Sequence, residues 1–323
     1  MKHSRRIAFL LALLLFCLPL AACYGNSGKV PQIAVIVKAV DSDFWHAVRS
    51  GVDSAATEYN VSVTFEGPEN EEDFEAQNRM IADAVKNGAD VIVLSAIDYD
   101  KNAAAVNDAV RSGVKVITID SNVNSPLVSL FIGTDNYEAG TAAARAAVDF
   151  TPADGAKIRV GLVNYLTDTA NGQRREEGFR ACLAGIANAE IVATVTADSN
   201  EASATAGARE LLAAHPEINV LVGFNEWMTL GVGNAIRELG CSDRVRGIGF
   251  DSNVVSVGML ESGEMDALIV QNPFAIGYLG VRNAAALATG DDVGSAPIST
   301  AMTTVTQSNM FDADIQKILF RYN

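Results

Sequence analysis

Residues 90–120 read DVIVLSAIDYDKNAAAVNDAVRSGVKVITID, and their pattern is the clearest indication of the fold class. It contains two runs rich in apolar, β-branched residues, Asp90 to Ser95 and Val114 to Asp120, which are typical of strands buried on both faces of a sheet. Between them, Tyr99 to Ser112 repeats apolar residues at helical spacing, and Gly113 is a typical residue for the end of a helix. Strand, helix and strand in this order predict one βαβ unit of a parallel sheet.

The same alternation extends in both directions along the chain and forms two series. In the first series the other predicted elements are strands at Gln32 to Val40, Val61 to Phe65 and Ser129 to Gly133, and helices at Phe44 to Tyr59 and Glu71 to Asn87. In the second series the predicted strands are Ile158 to Val163, Glu190 to Val195, Val220 to Phe224, Val245 to Phe250 and Ala267 to Val270. This predicts an α/β protein with two similar doubly wound parallel-sheet lobes. Because Gly and Pro do not cluster near Asp135, where the lobes should meet, we expect a hinge there and not a flexible linker.

Length and charge limit the class of protein further. The chain has 323 residues, and at about 150 residues per domain this predicts two domains. With 49% hydrophobic residues it can bury a substantial core. The 39 acidic residues outnumber the 24 basic ones, for a net charge of −15. An acidic surface repels a phosphate backbone, so nucleic acid is excluded as a partner.

The N-terminus is typical of a secretory signal peptide, because basic residues precede a short apolar run at 7–18. This run is too short to span the ~30 Å hydrocarbon core of a bilayer. The sequence Leu-Ala-Ala-Cys at 20–23 resembles a bacterial lipobox. The resemblance implies a signal peptide of residues 1–22, a lipidated Cys23 and a tether of residues 23–31.

Two cysteines remain after these assignments, Cys182 and Cys241. In an exported protein they could form one disulfide bridge or stay as two thiols, and their spacing leaves both possibilities open. No paired Cys-x-x-Cys pattern occurs, and residues 98–109 lack the glycine and glutamate of a calcium loop. The sequence therefore predicts no metal site and no cofactor.

Polar and aromatic residues follow the predicted strands, at the edge where open α/β sheets bind ligands. They are Asp41 to Trp45, Ser95 to Asp98, Asp120 to Asn122, Tyr165, Arg174, Arg175, Asn225 to Trp227, Asp251 to Asn253 and Gln271 to Phe274. A single Asp, Asn or Ser at such a position could equally cap the next helix. Together, carboxylates, amides, arginine and flat rings suit a neutral polyol, because the polar groups bind hydroxyls while the rings cover C–H faces.

In this order, several short motifs resemble those of bacterial periplasmic-type sugar-binding proteins of the ribose and galactose class. The motifs are DFW at 43–45, VITID at 116–120, GTDN at 133–136, REEGF at 175–179, FNE at 224–226 and GIGFD at 247–251. The resemblance covers essentially the whole mature chain. It implies a type I binding-protein fold with three crossovers between the lobes. The N-terminal lobe would comprise residues 32–134 and 272–298, and the C-terminal lobe residues 135–271 and 299–323.

The resemblance also implies a role for each site residue. Phe44 and Trp45 would stack on the sugar. The groups expected to contact its hydroxyls are Asp120, Arg175, Asn225, Asp251 and Gln271, with Ser42, Ser95 and Ser121 at further contact positions. Ribose binders of this class carry Asn and Arg where this chain has Ser95 and Ser121, so a hexose or an inositol stays open. Ser199 stands where an aromatic residue is expected, which makes Tyr165 or Trp227 the candidate for that stacking surface.

The function implied is that of a monomeric, non-catalytic lipoprotein that delivers a sugar to an ABC permease and its ATPase. It would be anchored by lipid in the periplasm or on the outer face of the cytoplasmic membrane. One alternative keeps the fold but reports the ligand to a membrane histidine kinase or chemoreceptor. A remote alternative is an exported glycoside hydrolase. The mature chain has only His46 and His215 as candidate histidine bases and contains no GxSxG, HExxH or Walker motif. Paired carboxylates could serve glycoside cleavage, and the sequence does not give their separation.

Overall fold

The computed structural model describes residues 29–149, 157–165 and 168–320. The predicted signal peptide and the lipidated Cys23 lie outside these ranges, as does most of the predicted tether. In the described part of the chain, no helix combines the length and apolar character needed to cross a membrane.

Six parallel strands form the first sheet. Numbered along the chain, they are β1 (Gln32–Ile36), β2 (Ser62–Glu66), β3 (Val91–Leu94), β4 (Lys115–Ile119), β5 (Leu130–Thr134) and β11 (Ile298–Thr300). Their order is β11-β5-β4-β3-β1-β2. The helices that pack on this sheet are α1 (Asp43–Tyr59), α2 (Phe74–Lys86), α3 (Ala103–Arg111) and α9 (Pro273–Thr289). We call this unit the first lobe.

A second sheet of six strands has the corresponding order β12-β10-β9-β8-β6-β7. The strands are β6 (Ile158–Tyr165), β7 (Ala189–Ala197), β8 (Val220–Gly223), β9 (Arg246–Phe250), β10 (Ala267–Val270) and β12 (Thr303–Thr306). Only β12 is antiparallel to its neighbour. The helices of this second lobe are α4 (Asn136–Asp149), α5 (Ala170–Leu183), α6 (Glu201–Ala214), α7 (Glu226–Glu238), α8 (Val254–Ser262) and α10 (Ala313–Leu319).

The chain passes between the sheets three times, after β5, after β10 and after β11. The third passage comes later than the predicted boundary at residue 298, because β11 pairs with β5 as far as Thr300. The predicted α/β class with two similar doubly wound lobes is confirmed. In each lobe the central strands are almost completely buried, which explains their continuous apolar runs.

Helices α4 and α5 pack closely through two glycines. A Cβ atom added at Gly140 would overlap the carbonyl oxygen of Arg175, and one added at Gly178 would overlap that of Tyr137. Only glycine allows the two backbones to approach this far. This contact sets the position of α5, the helix that carries Arg175 towards the other lobe.

Candidate functional site

A cavity of about 30 Å³ lies between the lobes, at the carboxyl ends of the strands of both sheets. Its lining residues are Lys38, Ser42, Phe44, Trp45, Glu71 and Asp120 from the first lobe, and Tyr165, Asn171, Arg175, Asn225, Glu226, Trp227, Asp251 and Gln271 from the second. All predicted ligand contacts except Ser95 and Ser121 are among them. A larger cavity of about 790 Å³ beside the crossovers shares Asp251 and Gln271 but contains none of the other hydrogen-bonding groups predicted for the ligand.

The first-lobe side of the cavity is organised around Asp120, which is buried. Its Oδ2 accepts hydrogen bonds from Ser95 Oγ at 3.0 Å and from Asn171 Nδ2 at 3.3 Å. Lys38 Nζ lies 3.7 Å from the same oxygen and donates to Asn171 Oδ1 at 3.1 Å. A buried carboxylate is costly unless it is paired, and here one cation and two neutral donors satisfy it.

Two of the predicted contacts are corrected by this arrangement. Ser95 is fully buried behind Asp120 and uses its hydroxyl to hold that carboxylate. Ser121 is also buried, and its Oγ has no hydrogen-bond partner among residues 29–149, 157–165 and 168–320. Asp120 lines the cavity, whereas Ser121 is not among the lining residues.

Arg175 is the main cation of the second lobe, with 1% of its surface exposed. Its Nε donates to Asn136 Oδ1 and its Nη1 to the carbonyl oxygen of Phe224, both at 2.8 Å. The guanidinium carbon lies 4.7 Å from the centre of the Phe250 ring, a cation–π contact. Nη2 has no partner within the described structure. The arginine is therefore held rigidly while one of its donor groups stays available in the cavity.

Gln271 contributes the complementary free group. Its Nε2 donates to Asp251 Oδ1 at 2.7 Å, while its buried Oε1 finds no partner in the described part of the chain. Burial raises the pKa of Asp251, and the nearby Arg175 opposes this shift. The residues of the cavity thus offer an unused acceptor as well as an unused donor.

Aromatic rings line the cavity from both lobes. Phe44 and Trp45 meet edge to face with ring centres 4.9 Å apart, and Trp45 Nε1 donates to Glu71 Oε1 at 2.9 Å. From the second lobe both Tyr165 and Trp227 line the cavity, so each of the two candidates for the second stacking surface is present.

Two predicted contacts, Ser42 and Asn225, also cap helices. Ser42 caps α1 by accepting from the Trp45 backbone N–H, and Asn225 caps α7 by accepting from that of Met228. Both side chains line the cavity as well. Capping fixes their rotamers at the cavity wall.

Glu226 connects the lobes. Its Oε1 accepts from Asn253 Nδ2 at 2.8 Å, and its Oε2 accepts from the backbone N–H of Phe44 at 3.4 Å, at the N-terminus of α1 in the other lobe. Burial, with the nearby charge of Asp251 adding to it, raises the pKa of Glu226 to about 7. Sequence reasoning noted Glu226 at the sheet edge but did not count it among the ligand contacts.

Three other lining residues were missed. Lys38 fell inside a predicted strand, Glu71 fell inside a predicted helix, and Asn171 was not among the predicted contacts. β1 ends at Ile36 and α2 begins at Phe74, so Lys38 and Glu71 both lie in loops. A charged residue at the end of an apolar run was the signal available for Lys38.

The carboxylates outnumber the cations in the cavity. The carboxylates are Glu71, Asp120, Glu226 and Asp251, and the cations are Lys38 and Arg175.

The described residues contain no group of three or more His, Cys, Asp or Glu side chains arranged to hold a metal ion. Cys182 and Cys241 are both free thiols in the structure.

A cavity between two doubly wound lobes, lined by polar groups from both, defines a substrate-binding protein. The family model described as "Periplasmic binding protein domain" matches residues 33–292. The chain belongs to this family.

Relatives with solved structures have the same fold. The chain is 30% identical to a carbohydrate transporter solute-binding protein from Agrobacterium radiobacter in complex with D-arabinose, with a TM-score of 0.86 and coverage of 91% of this chain and 100% of the other. It is 29% identical to an ABC transporter solute-binding protein from Agrobacterium vitis with bound D-fucose, with a TM-score of 0.85 and coverage of 90% and 100%. It is 25% identical to the D-allose-binding periplasmic protein of Escherichia coli, over 78% of this chain and 82% of the relative.

Proposed function

We propose that this chain is an extracytoplasmic solute-binding lipoprotein that captures a monosaccharide or related polyol and delivers it to an ABC permease. The observation that carries the proposal is the pair of unused buried groups, Arg175 Nη2 and Gln271 Oε1, in a cavity lined by aromatic rings. A sugar hydroxyl both donates and accepts, so a polyol can satisfy a free donor and a free acceptor at once. Leaving them unpaired costs about 1–3 kcal/mol each.

The charge of the cavity favours a neutral ligand over an anionic one. Four acidic side chains face two cations, so the site has no excess of positive charge for an anion, even when Glu226 and Asp251, whose pKa values are raised, are protonated. A sugar acid or sugar phosphate would bring further negative charge into this low-dielectric space, at a high cost. The aromatic faces match the C–H faces of a sugar ring.

Capture depends on closure of the two lobes. In the structure the lobes are in direct contact, for example through the Tyr99 backbone N–H and the carbonyl oxygen of Asp168 at 2.9 Å. A ligand that contacts both walls binds the closed form better than the open form and therefore shifts the population towards closure. A permease with its ATPase would then recognise the closed shape of the monomer.

The anchor and the location rest on the sequence. Cleavage after residue 22 and lipidation of Cys23 would hold the protein on the membrane, in the periplasm or on the outer face of the cytoplasmic membrane. The same cleft could report to a membrane histidine kinase or chemoreceptor, which would change the partner but not the ligand.

The proposal assigns no catalytic role to the chain. His46 and His215 are 62% and 36% exposed, and each lies beside an acidic residue of its own surface, Asp43 and Glu217. Neither histidine lines the interlobe cavity. A glycoside hydrolase would use a pair of carboxyl groups. The proposal assigns those of the cavity, such as Asp120 and Asp251, to hydrogen bonds with the sugar.

A thermal-shift screen of the mature protein against pentoses, hexoses, inositols and nucleosides tests the proposal. A ligand at 100 times its dissociation constant stabilises the folded state by about 2.7 kcal/mol, which gives a clear shift. We expect a strong response to one monosaccharide or polyol and none to the matching sugar acid or phosphate. No shift with any member of the panel would contradict the proposal.

A further inference from the structure

Glu71 contacts both lobes with one buried carboxylate. It lies in the loop between β2 and α2 and is 9% exposed. Oε1 accepts the Trp45 indole N–H of its own lobe at 2.9 Å, and Oε2 accepts the Ser199 hydroxyl of the other lobe at 2.8 Å. A second bond joins the same two loops, because the Ser199 backbone N–H donates to Glu72 Oε1 at 3.1 Å.

The chain of hydrogen bonds continues into the second lobe. Ser199 Oγ accepts from Asn225 Nδ2 at 3.2 Å, and Asn225 Oδ1 accepts from the backbone N–H of Met228 at 2.9 Å. The oxygen of the Asn225 amide and one of its hydrogens are therefore committed, and its second hydrogen is left for the cavity. The Ser199 hydroxyl receives one bond and gives one, so the series runs in a single direction and ends on the carboxylate.

We propose that Glu71 is a positioning residue for ligand capture, which on closure fixes the Trp45 ring of one lobe and the Asn225 amide of the other through Ser199. This inference rests on the proposed function, since Trp45 and Asn225 are proposed ligand contacts. We call the hydrogen bond between Glu71 Oε2 and Ser199 Oγ the latch between the lobes. This role for Ser199 differs from the stacking role that the family resemblance gives to its position.

A carboxylate suits this position because both of its oxygens accept, one from the indole of Trp45 and one from the hydroxyl of Ser199. In Glu71→Gln the single amide oxygen can accept only one of these bonds. If it keeps the indole, the Ser199 hydroxyl must turn from donor to acceptor, and a charge-assisted bond becomes a weaker neutral one. Because the bond to Ser199 forms only when the lobes meet, its loss accelerates ligand release and leaves association nearly unchanged.

The first test compares Glu71→Gln and Ser199→Ala with two matched controls at exposed positions, Glu69→Gln in the same loop and Ser242→Ala in a surface turn. With a sugar identified by the thermal-shift screen, stopped-flow measurements should show a dissociation rate about tenfold higher in each latch variant, equivalent to ~1.4 kcal/mol. The order of preference among sugars should not change. Ser199→Thr keeps the hydroxyl and should restore slow release.

A double variant shows whether the two residues act as a unit. Glu71→Gln with Ser199→Ala should release the sugar no faster than Ser199→Ala alone, since both changes act on the same bond. Additive effects, or rates equal to those of the controls, would overturn the latch. The chain has only two tryptophans. With Trp227 replaced by Phe, the fluorescence emission of Trp45 should shift when the lobes close on the sugar. The shift should be smaller when Ser199→Ala is added to the same protein.

A ligand-free measurement separates failure of the latch from failure of the sugar proposal. By small-angle X-ray scattering without ligand, Ser199→Ala should have a larger radius of gyration than the Ser242→Ala control, because its closed state loses a bond. This difference should appear even if no sugar in the panel binds. Equal radii would overturn the latch, whatever the panel shows.

Discussion

Asp120 and Asp251 occupy equivalent places in the two lobes and share an unusual backbone conformation. Each follows a corresponding strand, β4 or β9, and each has a positive φ, 55° for Asp120 and 66° for Asp251. Left-handed backbone at a residue other than glycine costs on the order of 1–2 kcal/mol. Such strain is typical of functional positions, where the surrounding structure holds the residue in place.

The first prediction concerns Asp251. Asn tolerates a left-handed backbone, so Asp251→Asn should keep the fold and its melting temperature. We expect it to weaken sugar binding by about 100-fold, because hydrogen bonds to a charged group contribute about 1.5–3 kcal/mol. Isothermal titration calorimetry measures the affinity, with Asp243→Asn in an exposed turn as the control. Unchanged affinity would remove Asp251 from the ligand site.

A pH dependence follows from Glu226. Its pKa is raised from 4.5 to about 7 in the closed structure. Separation of the lobes would expose the carboxylate and restore its ordinary pKa. Closure therefore takes up a proton between about pH 4.5 and 7, so the closed state is most favourable at low pH and loses stability as the pH rises through this window.

Sugar affinity should accordingly fall as the pH rises, by up to about tenfold per unit within the window. Glu226→Gln cannot titrate and should flatten the profile measured by calorimetry from about pH 5 to pH 8. The idea fails if the variant and the wild type show the same slope.

Ser121 provides a test of the corrected site. Its buried hydroxyl has no partner in the described structure, so Ser121→Ala removes an unpaired polar group. We expect it to leave sugar affinity unchanged and to raise the free energy of unfolding by up to about 1 kcal/mol. Denaturant unfolding and calorimetry together measure both quantities. A large loss of affinity would restore Ser121 as a ligand contact.

Alanine substitutions at two helical glycines should have opposite effects, because one glycine lies in the close contact between α4 and α5 and the other is exposed in α8. Gly178→Ala should destabilise the protein by about 2 kcal/mol, because the new Cβ overlaps the carbonyl oxygen of Tyr137. Gly258, exposed in α8, has open space around its Cβ position, and Gly258→Ala should stabilise by about 0.5–1 kcal/mol. Melting temperatures in opposite directions are expected. A neutral Gly178→Ala would mean that the two helices can move apart freely.

The membrane anchor is tested at Cys23. Substitution by Ala should release the protein from the membrane fraction, since the lipid has no other attachment point in the proposal. Sugar affinity should be the same as in the wild type. If Cys23→Ala stays with the membranes after fractionation, the lipobox assignment is wrong.

Much of the fold could be predicted because its signals are local. A buried parallel strand needs a continuous apolar run and the next helix needs its own periodicity, so residues 90–120 were enough to predict the βαβ unit. The predicted strand Val114 to Asp120 corresponds to β4 at Lys115–Ile119. The third crossover was less accurate, because a three-residue edge strand carries little pattern.

The residues of the candidate site also divide into those that local sequence predicts and those that it does not. Residues that directly follow strands, such as Asp120, Asn225 and Asp251, could be predicted as cavity residues from their place in the pattern. Glu71 could not, because its partners Trp45 and Ser199 are distant in sequence and belong to different lobes.

Hydrophobic periodicity along the chain is enough to predict the order of strands and helices, the division into two lobes and the sheet edges that face each other. Which polar groups pair with one another, and which stay free, depends on the folded arrangement. Asp120 is paired with Lys38, whereas Arg175 Nη2 and Gln271 Oε1 remain unpaired in the described structure. The reason is physical: hydrogen bonds act over about 3 Å, and only folding brings side chains from two lobes within that distance.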